Sequence, residues 1–517
     1  MLMRYAQHLA QGQGIVWNIG EKPVDGATDF LFMVVSALLI KLGLTVGQAV
    51  RGVGFLSHLA TVLIVYWTNR RVHQADIFSS LLSGLYLAVG TGFSYVAAYF
   101  GTPFFALAAA STWTLGLLLI KWHRPERTQS EGEVVVEGPP LWLSMAFAFS
   151  ALATGLIRPE GVILASLMLI SIVYSRGFKN AVSIIVVFAV TFLLLGGSYF
   201  VWRWDYFGYP LPNPFYKKGG SVLHWNSLLN SLLHTLRLCL PFFVTFILAF
   251  RSHSTARLAI ALLIPALGFA SAFILISDEM DFGARFQYAL VPLVLMSWPP
   301  LAGDLNFTWL ARFQRREKIA YVAALTAAAA GVIYYSSFQN CFLTDYQQSC
   351  DRPYERDGRY EMGKILSAYR DKGYTIATSE AGLVPYYSGW NAVDTWGLND
   401  QWIAHHGGLT PEYLDRYEPE IIMFHAYYSP LVPPEITEAS LSDEWFSMTI
   451  TLKTYAEENG YILAAVFGDS PYDTNYFYVR PDFPDSQDLI EQISTTRRYF
   501  WFITGNRSIN YAPYGKP

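Results

Sequence analysis

Charge is scarce in this sequence: Asp, Glu, Lys and Arg make up 15% of its 517 residues, against about 25% in an average soluble domain. With so little charge and 53% hydrophobic residues, the composition is that of a membrane protein. Cysteine is scarcer still, at three residues. No C-x-x-C pair, H-E-x-x-H or other ligand spacing occurs, which argues against a zinc or thiol centre of a recognisable kind. No cofactor is expected, and the residues leave open whether a divalent cation assists. Long basic stripes interleaved with aromatics are also missing, so nucleic acid is not an expected partner.

What is present is a succession of apolar runs, set against the roughly 17–25 residues that a crossing helix needs. They cover 48–68, 77–92, 101–120, 141–157, 160–174, 178–200, 234–250, 257–276, 284–299 and 319–336. Lys and Arg collect in alternate connections: Arg70 and Arg71; Lys121, Arg124 and Arg127; Arg176 and Lys179; Arg251 and Arg257; Arg312, Arg315, Arg316 and Lys318. The positive-inside bias makes that side cytoplasmic. The chain is then a multi-pass protein of the inner (plasma) membrane, with residues 1–47 and the tail on the exoplasmic or periplasmic side. No span precedes residue 1 to carry it there, so a helix upstream of Met1 is expected, and 28–42 is read as an interfacial helix.

The predicted fold is a polytopic α-helical membrane protein with a C-terminal exoplasmic α/β domain. Its parts are an exoplasmic loop and interfacial helix at 1–47, a transmembrane core at 48–336, and the α/β domain at 337–517. In the tail, EMGKILSAYRDKG reads as a helix, and YTIATSE, NAVDTW, EIIMFH and NYFYVRP read as strands, a pattern that suggests a partly parallel sheet. Cys239 lies in an apolar run and reads as a core residue. Cys341 and Cys350 sit at the start of the tail, where an oxidising compartment would permit a disulfide between them.

Four stretches on the outer side carry residues with chemistry. In RPEG, Arg158 and Glu160 either pair as a structural couple or line a cavity, since ionisable groups near hydrocarbon are costly. In SDEMDFGARFQY, Asp278 and Asp281 precede Arg285, whose planar fork suits a phosphate; the alternative is an arginine that snorkels at the end of a span. LPNPFYKK sets Asn213 between two prolines and follows it with Tyr216, Lys217 and Lys218. Flat rings, an amide and cations together suit a phosphorylated sugar lipid, though an aromatic belt accounts for part of the pattern. At the N-terminus Arg4 and Tyr5 open an amphipathic turn. Asp25 and Asp29 either cap or solvate the loop, or one of them is the base that deprotonates an attacking hydroxyl.

MRYAQHLAQGQGIVWNIGEKPVDGATDFLF, RPEG, WDYFGYPLPNPFYKK, DFGARF and EAGLVPYYSGWNAVDTWGLND together resemble the terminal arabinofuranosyltransferases of mycobacterial cell-wall synthesis and their bacterial relatives, which belong to the GT-C superfamily of integral-membrane glycosyltransferases. The likeness runs from residue 1 to about 400. It implies inverting transfer of a sugar, arabinofuranose in the nearest family, from a polyprenyl-phosphate donor to a cell-envelope glycan or lipid acceptor in the bilayer. On that reading Asp25, Asp29 and Arg285 are catalytic candidates. Arg4, Tyr5, Arg158, Glu160, Asn213, Tyr216, Lys217, Asp278 and Asp281 are donor-binding candidates. An Asp-Asp pair that stands ahead of Met3, Arg4 and Tyr5 in the relatives would lie upstream of this sequence. Gly101 stands where relatives tend to have Glu before Thr-Pro, and Ala27, Thr28 and Asp29 stand in place of Tyr-Thr-Asn. A transporter of lipid-linked sugar and a noncatalytic envelope scaffold are the competing readings.

Overall fold

The structure, a computed structural model, describes residues 1–122, 138–219, 222–278, 281–303, 330–331, 334–335, 358–496, 501–504 and 510–511. Among these, six helices are long and apolar enough to cross a membrane: Val46–Val72, Ile77–Ala97, Thr102–Ile120, Phe178–Phe207, Trp225–Ala249 and Thr255–Leu275. Shorter helices at Leu141–Ile157, Glu160–Arg176 and Leu290–Gly303 complete nine of the ten expected runs. Most of the tenth lies outside the described residues, as do Cys341 and Cys350. The helices are numbered α1 (Leu2–Ala10), α2 (Phe30–Lys41), α3 (Val46–Trp67), α4 (Ile77–Ala88), α5 (Gly92–Ala97), α6 (Thr102–Ile120), α7 (Leu141–Ile157), α8 (Glu160–Arg176), α9 (Phe178–Thr191), α10 (Gly197–Phe207), α11 (Asn213–Lys218), α12 (Trp225–Ala249), α13 (His253–Ala272) and α14 (Leu290–Gly303).

Local chemistry sets the ends. Thr45 and Gln48 form a reciprocal capping box at the start of α3, and the Asp76 carboxylate accepts from the Ser79 N–H at the start of α4. Two boundaries depart from the sequence reading. The span from Phe178 continues as helix through Trp202, Arg203 and Trp204 and stops only at Gly208, whose φ of 82° ends it in the left-handed region. The run expected at 284–299 begins as α14 at Leu290, because Gly283 and Ala284 both have positive φ and turn the chain first. Asp278 packs beside α12, where it accepts from Ser227 and Asn230, and Asp281 accepts from the Phe286 N–H in the turn before α14.

The helices alternate in direction. One end of the bundle gathers Asp29, Arg158, Glu160 and Arg285. At the other, Lys121 Nζ donates to the Val72 carbonyl and Arg176 Nη1 to those of Leu119 and Trp122. Between the ends lies a core built around Trp113, Phe147, Phe269 and Leu295. The opposite face of α12, with Leu229, Leu233, Leu236, Leu240, Val244 and Ile247, is exposed; that stripe suits contact with lipid.

The C-terminal domain is built on a seven-stranded sheet: β1 (Thr375–Thr378), β2 (Asn391–Asp394), β3 (Ile421–Ala426), β4 (Ile462–Ser470), β5 (Asp473–Val479), β6 (Trp501–Thr504) and β7 (Asn510–Tyr511), in the order β2-β1-β3-β5-β4-β6-β7. β2, β1 and β3 are parallel and the remaining pairs antiparallel, so the partly parallel sheet is present, with β4, β6 and β7 added to the expected strands. The domain is clamped to the start of the chain. Arg4, buried, donates to the carbonyls of Trp17, Pro385 and Trp390 and to Asn18 Oδ1. Gly26 lies so close to the loop after β2 that a Cβ there would collide with Asn399 Oδ1 and the Tyr5 hydroxyl.

Candidate functional site

The turn between α7 and α8 brings Arg158 to the end of the bundle. Pro159 and Glu160 restart the helix there, and the Arg158 guanidinium sits with Nε 3.7 Å from Asp29 Oδ1 and Nη2 3.1 Å from Glu160 Oε1. Its carbon lies 4.8 Å from the centroid of Phe286 and 5.7 Å from that of Phe105. Arg285, arriving from the turn before α14, lies 4.3 Å from the Phe100 centroid and 5.0 Å from that of Phe286. Two cations therefore lie over one phenyl ring, whose π-face attracts both. Phe100, Phe105 and Phe286 were not singled out in the sequence, where nothing distinguishes them from the other rings of the outer rim.

Asp29 occupies the N-cap position of α2, yet its side chain does not cap. It points toward Arg158, and Oδ1 makes no hydrogen bond among the described residues. Burial pushes its carboxyl above the ordinary aspartate range, with Arg158 and then Arg285 pulling the other way. The space it fills exists because residue 101 is glycine. A methyl group there would stand 2.5 Å from Asp29 Oδ2 and 3.0 Å from the Phe32 ring. The two positions noted as departures from the relatives thus touch each other.

Asp25 has a different setting. Both of its oxygens accept from Arg203, Nε at 2.5 Å and Nη2 at 2.6 Å, in a buried bidentate pair. Its backbone carbonyl accepts from the Asn213 N–H. Burial raises its carboxyl above the usual range and Arg203 opposes the rise. This geometry holds the N-terminal loop against α10 and α11 and commits both oxygens to Arg203.

The remaining sequence candidates divide by location. Glu160 joins Arg158. Asp281 faces His234 Nδ1 at 3.3 Å as well as the Phe286 N–H, and Asp278 is held by α12, so both carboxylates brace the turn that carries Arg285. Arg4 and Tyr5 are committed to the clamp between the N-terminus and the C-terminal domain, Tyr5 fully buried against Trp17. Lys217 turns away from the arginines: its Nζ lies 2.5 Å from Glu444 Oε2 and 4.1 Å from the Trp396 centroid. Tyr216 packs on Tyr209 and His405, and Tyr209 stacks on His405 at 3.8 Å. Among the described residues no group of three or more His, Cys, Asp or Glu could hold a metal ion.

The arrangement offers two guanidinium groups for an anion and a carboxylate of raised proton affinity beside them. Such a pairing can neutralise a leaving phosphate and receive a proton.

Compared with known proteins, residues 344–480 match a family model described as a domain of unknown function (DUF8728). No curated protein matches the chain. Among the solved proteins that it resembles are two that align with more than nine-tenths of this chain. The archaeal oligosaccharyltransferase AglB from Archaeoglobus fulgidus, in complex with an inhibitory peptide and a dolichol-phosphate, is 10% identical, with 93% of this chain and 70% of that one covered and a TM-score of 0.50. ArnT from Cupriavidus metallidurans bound to undecaprenyl phosphate is 12% identical, with 92% of each chain covered and a TM-score of 0.49. The likeness to AglB is one of fold: helices long and apolar enough to cross a membrane, followed by a C-terminal α/β domain.

Proposed function

We propose that the protein is a membrane glycosyltransferase that moves a sugar from a polyprenyl-phosphate donor to a hydroxyl of a cell-envelope glycan or lipid, with inversion at the anomeric carbon. The observation that carries this reading is the pair Arg158 and Arg285 around Phe286, set beside Asp29 at one end of the bundle. The AglB complex contains a dolichol-phosphate, which supports a lipid-phosphate donor for this chain. Arabinofuranose is the sugar that the sequence motifs favour.

The reaction is a single displacement. An acceptor oxygen bonds to the anomeric carbon as the carbon–oxygen bond to phosphate breaks, and the prenyl phosphate leaves with the electron pair. The acceptor proton passes to Asp29, whose raised proton affinity suits it to the task. Arg285 and Arg158 stabilise the charge gathering on the phosphate oxygens. Lys217 is engaged elsewhere, so Arg158 is the partner of Arg285 in this step.

The test is sugar transfer from a prenyl-phosphate donor by the purified full chain. Arg285→Lys keeps the charge and loses the planar fork; transfer should fall on the order of tenfold to a thousandfold while the protein inserts and folds. Arg257→Lys, at the far end of the bundle, should leave turnover unchanged. Equal activity of Arg285→Lys and wild type would remove Arg285 from the site.

A further inference from the structure

A second set of polar groups lies where α11 meets the C-terminal domain. Asn213 and Lys217 stand four residues apart on α11 and project from the same side. Trp396 approaches Lys217 from the loop after β2. That loop is fixed by the buried Asp394 carboxylate, which accepts from the N–H groups of Trp396, Gly397 and Asn399. Asn213 is 2% exposed and Trp396 7% exposed. Yet Asn213 Nδ2 and Trp396 Nε1 make no hydrogen bond among the described residues. The Lys217 side chain is 9% exposed, and its ion partner Glu444 is 66% exposed. Tyr216, Tyr209 and His405 stack beside this group, and Trp445 packs on Trp396.

A buried donor without an acceptor weakens a fold, and folds keep such donors where a ligand or an ordered water meets them. Here two orphaned donors lie near a lysine whose charge Glu444 offsets, with flat rings at the rim. An anion gains little from such a locally balanced site. A neutral ring bearing several oxygens gains from each donor and from the aromatic faces. We propose that the α11 junction is a sugar-binding subsite, in which Asn213 Nδ2, Trp396 Nε1 and Lys217 Nζ donate to hydroxyl and ring oxygens of a pyranose or furanose. This deepens the glycosyltransferase reading and rests on it. The ring is either the sugar of the donor or the terminal sugar of the acceptor, and both present the same chemistry to these groups.

Two substitutions remove donors: Trp396→Phe, which keeps an aromatic ring, and Asn213→Leu, which keeps the branched outline of the amide. In the full chain without ligand, Asn213→Leu should melt no lower than wild type, since it deletes an unsatisfied buried group, while Trp396→Phe should melt slightly lower because the smaller ring leaves space in the core. In transfer assays the KM for one substrate should rise roughly tenfold with kcat little changed. A rise in donor KM assigns the ring to the donor, and a rise in acceptor KM assigns it to the acceptor. Saturation-transfer NMR with methyl pentofuranosides and methyl hexopyranosides should give signals on wild type that weaken in both variants. Unchanged KM for both substrates together with unchanged NMR signals would overturn the proposal and leave the donors satisfied by water alone. If wild type transfers no sugar from any prenyl-phosphate donor, the glycosyltransferase reading fails, and the NMR contrast between wild type and variants still decides the subsite.

Discussion

Asp25 and Asp29 lie four residues apart in one loop, and their surroundings set them to different work. Asp25 is closed in a bidentate pair with Arg203. Removing one member of a buried pair leaves the other charge uncompensated, at a cost of about 3–5 kcal/mol, whereas replacing both by apolar groups is often neutral. Asp25→Asn should therefore lower the melting temperature markedly, and adding Arg203→Met should recover much of it; a melt unmoved by Asp25→Asn would show that the pair is not structural. Asp29→Asn should instead keep the fold and cut the rate of transfer by about 10²–10⁴-fold, the range for loss of a general base. Full turnover with Asn at 29 would rule Asp29 out as the base. Sequence reading named both carboxylates with equal weight. It could not separate them, because Arg203 is 178 residues from Asp25 and nothing local encodes their meeting. Gly101 was noticed only as a departure; its meaning lies in the space it leaves for Asp29.

Among the elements, apolar length was the most legible signal, and nine of the ten expected runs fall on helices. The misjudged boundaries trace to backbone effects that hydropathy does not carry. Positive φ at Gly283 and Ala284 delays α14, and aromatic residues prolong the Phe178 helix to Phe207. Strand β4 was missed because its register slips between Leu463 and Ala465, which breaks the alternation by which a half-buried strand is read. Helix Gln401–His405 gives a testable pH effect. Its N-cap, Asp400, accepts from the Ile403 N–H and the Tyr413 hydroxyl, yet burial raises its pKa from 3.8 to about 6. A raised carboxyl binds its proton more tightly folded than unfolded. Its contribution to stability is therefore greatest below the unfolded pKa and is lost as pH rises from about 4 to about 6. Asp400→Asn retains an oxygen to cap the helix and cannot ionise. The stability difference between wild type and variant should drift across that window and stay flat above it; a constant difference from pH 4 to 7 would mean that Asp400 does not titrate there.

For the whole molecule, the two ends of the bundle differ in chemistry: carboxylates and aromatic-bound arginines at one, lysines and arginines on helix-end carbonyls at the other. The basic end fits a cytoplasmic face, and we propose that the site and the C-terminal domain lie outside. A reporter active only outside the cytoplasm should work when fused after Pro517 and fail when fused near Arg315; the reverse pair of results would invert the topology. The clamp at Arg4 adds a condition in time. Two of its acceptors, the carbonyls of Pro385 and Trp390, lie 381 and 386 residues further along. At a synthesis rate of about 5–20 residues per second, they emerge roughly 20–80 s after Arg4 itself. Throughout that interval Arg4 has only its two nearby acceptors, the Trp17 carbonyl and Asn18 Oδ1. Docking of the N-terminal segment on the C-terminal domain must then be among the last events of biogenesis, and a chain stalled before residue 385 would sit in the membrane with its helices formed and its N-terminal clamp half made.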